Sequence, residues 1–171
     1  MGTQQILLIV LSVIIVGAAV AVGIDMFNRQ DYTSNRSAAA SDVQIYLTQV
    51  LQYYKMPTQL GGLGNELEAP ANESDTNLAK AIASYIGWGT DNPMKNDNAY
   101  YYIEVPTGTE EVVYIKAISR TQLNDKRATV HGRITFPEGK IESRVGDIDD
   151  ITSGSSIEAS DFAFDNFTTG D

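Results

Sequence analysis

The chain has 171 residues, with 22 Asp and Glu against 12 Lys and Arg and a formal net charge of -10. That balance excludes a sequence-independent nucleic-acid surface, which needs clustered cations, and makes polyanions poor partners. The absence of cysteine removes disulfides and thiolate metal ligands from consideration, and leaves the redox compartment unread.

Residues Ile6 to Ile24 carry no charge. Such a run of about nineteen residues, at about 1.5 Å rise each, matches the roughly 30 Å hydrocarbon core of a bilayer. Met1 to Gln5 holds no Lys or Arg, and the run is longer than the apolar core of a cleavable secretory signal, so the reading is a membrane-resident segment. Orientation has only Arg29 and Arg36 to work with, and Asp25 and Asp31 lie among them. Roughly 147 residues follow, enough for one domain.

No turn signal follows the run. Between Asp25 and Tyr54 there is neither proline nor glycine, and Ala39, Val43, Tyr46, Leu47, Val50 and Tyr54 recur at the spacing of one helical face. The sequence therefore predicts one helix from about Gly2 to Tyr54, roughly 80 Å long, apolar over 1–24 and amphipathic over 25–56. Pro57, Gly61, Gly62 and Gly64 end it. The region 57–99 reads as a loop containing one short helix in SDTNLAKAIASYIGWG. Asp75 or Thr76 would cap its start, Leu78, Ala79, Ile82 and Ile86 form its apolar face, and Gly87 suits its left-handed end.

From Tyr100 the period changes to that of strands. Tyr100–Val105, Val112–Ser119, Ala128–Phe136 and Lys140–Val145 are rich in β-branched and aromatic residues, and predict a four-stranded antiparallel meander over 100–145. In the third strand Val130, Ile134 and Phe136 share one face, and Thr129, His131, Arg133 and Thr135 the other. This is the pattern of a sheet buried on one side, with the amphipathic half-helix as its cover. The fold class is α+β. Over 146–171 an acidic tail follows, with Asp147, Asp149, Asp150, Glu158, Asp161, Asp165 and Asp171 and no basic residue. Phe162, Phe164 and Phe167 make it too apolar to stay in water, so it is expected to dock on its own sheet or on a neighbouring subunit.

Chemistry has few residues to stand on. His131 is the single histidine, falls on the polar face of a strand and reads as a surface residue. There is no GxSxG, phosphate loop or dinucleotide fingerprint, so no catalytic residue and no cofactor are expected. Asp147, Asp149 and Asp150 are the candidate ligands for a hard cation such as calcium, although they lack EF-hand spacing and a solvated acidic turn is the ordinary reading. Trp88, between Gly87 and Gly89, reads as a core plug, with an exposed adhesive aromatic as the alternative. Sequons place candidate glycosylation at Asn35, Asn72 and Asn166, of which Asn72 lies in the most loop-like context.

An uncharged N-terminal helix that runs on as an amphipathic helix to about Tyr54 and is covered by an antiparallel meander resembles the type IV pilins and pseudopilins. In sequence character the resemblance covers the first fifty or so residues. It implies that the apolar half waits in the inner membrane and then packs into the central helical bundle of a filament made by the pilus assembly machinery. It also implies a cell-surface location and no catalysis. Gln5, Ile6, Gly17, Ala21 and Gly23 would carry polymerisation, since Gly17 with Ala21, and Ala19 with Gly23, give the small-xxx-small spacing that lets helix backbones approach. Gln5 stands where the family typically has glutamate, so a hydrogen bond replaces the ion pair to a neighbour's terminal amine. Val22 stands near the family's usual proline, and no basic leader is visible. The leading expectation is a major filament subunit. A pseudopilin or minor pilin of an envelope machine keeps the fold and changes the task. A single-pass membrane-anchored sensor or ligand-binding domain is the alternative from another class; it expects a second apolar segment or a signalling portion, and five residues precede the run. A soluble enzyme comes last.

Overall fold

A computed structural model describes residues 2–67, 75–89, 91–106, 111–149 and 162. Helix α1 spans Gly2–Lys55 without interruption, followed by a 3-10 turn at Thr58–Leu60 and helix α2 at Asp75–Tyr85. Strands β1 (Met94–Lys95), β2 (Ala99–Glu104), β3 (Val112–Leu123), β4 (Lys126–Thr135) and β5 (Lys140–Asp149) form one antiparallel sheet in sequence order. The fold is a long N-terminal helix packed on an antiparallel sheet, as expected, with five strands instead of four.

The extra pairing comes from two places. Asn92 Oδ1 accepts from the Ile103 amide and its Nδ2 donates to the Ile103 carbonyl, both at 2.9 Å, pinning the segment before β1 alongside β2. At the other end β3 and β4 run on past their predicted limits to a tight hairpin in which Leu123 pairs with Lys126. Asn124 and Asp125 take φ of 52° and 58° there, the left-handed pair that a two-residue primed turn requires. The register shifts between Ile118 and Gln122. Ser119 Oγ accepts the Thr121 amide at 3.1 Å within that irregular stretch, supplying a partner that the ladder does not. Strand β5 also continues to Asp149, so Gly146–Asp149 is strand and not an acidic turn.

Helix α1 lies along one face of the sheet. Ala39, Val43, Leu47, Val50 and Tyr54 meet Tyr101 and Ile103 of β2, Val113, Ile115 and Ala117 of β3, and Val130 and Ile134 of β4 in a single core. Gly132 stands between those last two residues, and a Cβ there would lie 2.5 Å from Val43 Cγ1 and 2.6 Å from Leu47 Cδ1. The missing side chain is what allows the helix to sit so close. Trp88 is buried, edge-on to Tyr46 at 5.2 Å, which agrees with the core-plug reading. The loop after α1 folds back on the helix end, and the amides of Leu63, Gly64 and Asn65 donate to the carbonyls of Tyr53, Met56 and Tyr54. These are acceptors that a helix terminus otherwise leaves open. Helix α2 ends as predicted, with Gly87 at φ 90° and the Trp88 amide on the Ala83 carbonyl at 2.8 Å.

One carboxylate fixes the helix against the edge of the sheet. Asp42 Oδ2 accepts from Tyr101 Oη at 2.7 Å and from the side-chain amides of Asn96 and Asn98 at 3.1 Å each. Tyr101 is fully buried, and burial together with this bond pushes its phenol well above the usual range. Asp42→Ala would leave three donors without their acceptor. The expected loss is about 2 kcal/mol in chemical denaturation, with Asp42→Asn recovering part of it because one amide oxygen remains.

The opposite face is not the solvated side that alternation suggests. Lys116, Thr129 and His131 are buried there, at 3%, 6% and 8% exposure, and Lys116 Nζ donates to the Phe162 carbonyl. His131 is therefore not a surface residue. Burial first, and the Lys116 ammonium second, lower its pKa to about 4. The sign follows directly. Above the ordinary pKa of 6.5 both folded and unfolded histidine are neutral. As pH falls towards 4 the unfolded chain takes up the proton more readily, so folding weakens across that window. The expected loss is on the order of 2 kcal/mol. It is measured as the difference between wild type and His131→Gln in urea denaturation at pH 7 and pH 4, since the variant keeps the carboxylate titrations and drops this one.

Candidate assembly surface

Two segments of α1 live in different surroundings. From Tyr32 onward the helix is in contact with the head. Tyr32 Oη donates to Asp147 Oδ1 at 2.7 Å, Arg36 Nη1 lies 3.5 Å from the same oxygen, and Asn35 Oδ1 accepts from Ser119 Oγ. Before Tyr32, Ile6, Leu7, Leu8, Ile9, Val10, Leu11, Val13, Ile14, Ile15 and Val16 are all exposed, and no part of the apolar window is buried among the described residues. This segment is long and apolar enough to cross a membrane.

The all-round apolar character decides what this surface can do. A helix that packs on a soluble core shows an apolar stripe, whereas one apolar on every face needs lipid or other helices around it. Burying each large side chain contributes about 1.5–3 kcal/mol, so the ten named above make water an untenable environment for the segment. Gln5, Gly17 and Ala21 lie on this exposed stretch and Gly23 is half-buried. No neighbour lies within 4 Å of a Cβ built at Gly17 or Gly23, so the small-residue spacing is open to an incoming helix. Both glycines lie within the continuous helix.

Between the apolar run and the head is a short polar neck. Arg29 Nε donates to Asp25 Oδ2 at 2.8 Å, one turn apart. Phe27 stands 77% exposed beside them. An aromatic next to charges suits the boundary between hydrocarbon and headgroups better than water.

The other sequence-derived sites come out differently. Asp147 is taken up by Tyr32 and Arg36, Asp149 is a backbone member of β5, and Asp150 lies outside the described residues. Among the described residues no three carboxylate or histidine side chains are grouped to hold a metal. Asn35 is half-buried, and its side-chain oxygen accepts from Ser119 Oγ. Asn72 and Asn166, like Phe164 and Phe167, lie outside the described residues. A cleft of about 490 Å³ opens between Glu111, Arg133, Phe136 and Lys140. Three of its charges come together: Arg133 donates to Glu142, and Lys140 Nζ lies 3.0 Å from the same carboxylate. Hydrogen bonds from both cations hold the Glu142 carboxyl below the usual range.

Comparison with protein-family models, with curated proteins and with solved structures finds no match.

Proposed function

We propose that this chain is the major structural subunit of a type IV pilus-like helical filament on the cell surface. Gln5, Ile6, Gly17, Ala21 and Gly23 contribute to the contacts between stalk helices, and a membrane-embedded pool precedes assembly. The observation that carries the reading is the stalk, a fully exposed apolar half-helix that is continuous, without hinge or linker, with the helix that forms the core of the head. A flexible tether would serve a membrane anchor equally well. A rigid one sets the head at a fixed distance and angle from the stalk, which repeated heterologous contacts between copies require if they are to build a helix instead of an aggregate.

In this reading the protein is a building block and not an enzyme. Lipid and neighbouring stalks are equivalent solvents for leucine and isoleucine, so transfer from membrane to filament depends on close packing at the small residues. Electron microscopy of native surface material tests the proposal. Fibres that yield this chain as their principal component on mass spectrometry are the expected result. Discrete micelle-bound particles without fibres would leave a single-pass anchored domain as the better reading. Fibres absent from the surface, with the chain retained in the envelope, would favour a pseudopilin.

A further inference from the structure

The contacts between helix α1 and the sheet fix a common scale along the two. Tyr54 stacks on Phe136 with ring centroids 4.1 Å apart, Val43 and Leu47 close over Gly132, and Tyr32 and Arg36 both reach Asp147, which pairs with Ala128 of β4. Each advance of four strand residues, about 13 Å, is matched by roughly ten helix residues, about 15 Å. Strand and helix therefore run side by side towards the stalk. Strand β4 keeps its register with β5 down to Lys126, so it stays extended as far as the β3–β4 turn. From Ala128 to Asp125 is about 10 Å more, or roughly seven residues of helix, which brings the turn level with about Phe27.

Phe27 follows Ile24, the last residue of the uncharged run, by less than one helical turn. With the run in a bilayer, that level is about 4–5 Å past the hydrocarbon, inside a headgroup layer of roughly 5–7 Å. Asn124, Asp125 and Lys126 are exposed at the turn, and Leu123 is half-buried. Charges at this end are matched: Asp25 with Arg29, Asp147 with Arg36, and Asp125 beside Lys126. Arg127 Nη1 donates to the carbonyls of Ser119 and Arg120, Arg120 Nη1 lies 3.8 Å from Asp97, and Asp31 and Asp149 add further negative charge. A surface without excess cations, on a chain of net charge -10, has nothing with which to select anionic lipid. Its mixture of donors and acceptors suits a headgroup that carries both a phosphate and an ammonium.

We propose that the β3–β4 turn, residues 123–126, rests in a zwitterionic phospholipid headgroup layer beside the 25–29 neck, giving the head a second point of contact with the membrane that holds its stalk. A single helix is free to rotate about its own axis in a bilayer. Two contacts fix which side of the head faces the membrane. The inference rests on the membrane-embedded pool proposed above and is independent of the filament.

The chain has no cysteine, so single cysteines can carry a fluorophore on the full-length protein. Lys126→Cys reports on the turn without disturbing the left-handed residues Asn124 and Asp125, and Gln122→Cys reports from the facing strand. Phe27→Cys and Glu138→Cys, both at exposed positions, mark the neck and the far end of the sheet. Each protein is reconstituted in phosphatidylcholine vesicles, part of whose lipid carries a nitroxide on the headgroup, with circular dichroism compared with wild type. The nitroxide is expected to reduce fluorescence at least threefold at positions 27, 122 and 126, and to leave position 138 unchanged. Quenching at 27 with none at 122 and 126 would overturn the proposal while leaving the stalk in the membrane. No quenching at 27 either would remove the membrane-resident stalk along with it. Quenching at the turn that appears only when phosphatidylglycerol replaces part of the phosphatidylcholine would also overturn the proposal, because the contact would then depend on anionic lipid. Quenching at the turn in a chain that makes no filaments would sink the filament and leave this contact standing. If Lys126→Cys does not fold, Gln122→Cys decides.

Discussion

Gly132→Ala is expected to destabilise the head by about 1–3 kcal/mol, and Gly132→Val by more, in urea denaturation of the detergent-solubilised chain. The direction is the informative part. Placing alanine or valine in a regular strand in place of glycine removes backbone freedom from the unfolded chain and, where space allows, stabilises. Here the added atom would lie within 2.6 Å of both Val43 and Leu47, and neither neighbour has room to yield, because both are fully buried in the helix–sheet core. The helix must lift off the sheet or the strand must bend. Truncating Val43 in the same chain should recover part of the loss, since the two positions share one volume and their effects are not additive. Unchanged or raised stability in Gly132→Ala would mean that α1 does not rest on β4 at this point.

That contact also shows where sequence reasoning stops. The periodicity of Ala39, Val43, Leu47, Val50 and Tyr54 identifies the face of α1 that is buried, because one face of a long amphipathic helix repeats often enough to be read. Val130, Ile134 and Phe136 identify the matching face of β4. Gly132 lies in register with them, yet a glycine reads as a break in a pattern until the opposing helix is in view. Asn124 and Asp125 are residue types that tolerate the left-handed conformation of a two-residue hairpin turn, and β3 and β4 run up to them beyond the limits that β-branched and aromatic content alone predicts. The burial of Lys116, Thr129 and His131 is of a different kind. Lys116 donates to the carbonyl of Phe162, a residue remote in sequence, and alternation within a strand reports only how its two faces differ, not what lands on either. The tail's phenylalanines carried that signal: they predicted docking without indicating which face, and Phe162 docks on its own sheet. The stalk is the opposite case, since nearly everything about it is local. Its length, its apolarity and its continuity follow from thirty consecutive residues, whereas its partners do not.

Ile14→Asp and Gly17→Leu are expected to separate the two tasks assigned to the stalk. A carboxylate near the middle of the apolar run costs roughly 2.5–3.5 kcal/mol on translocon-derived scales, about two orders of magnitude in partitioning. Ile14→Asp should therefore deplete the chain from membranes and abolish filaments. Thermal unfolding of the head should not move, because no part of the apolar window is buried among the described residues. Gly17→Leu acts otherwise. It adds apolar surface and raises helix propensity, so membrane retention and helicity are kept, while the notch that lets two backbones approach is filled. Filament yield, counted by electron microscopy and by sedimentation of sheared surface material, should fall at least tenfold in this variant with the membrane-bound pool unchanged or enlarged. An anchor surrounded only by lipid has no reason to distinguish leucine from glycine at that position, so wild-type behaviour of Gly17→Leu in every measurement would count against polymerisation. Loss of filaments at constant membrane content would instead locate the assembly contact on the Gly17–Ala21 face, with the head still folded and its outer surface intact.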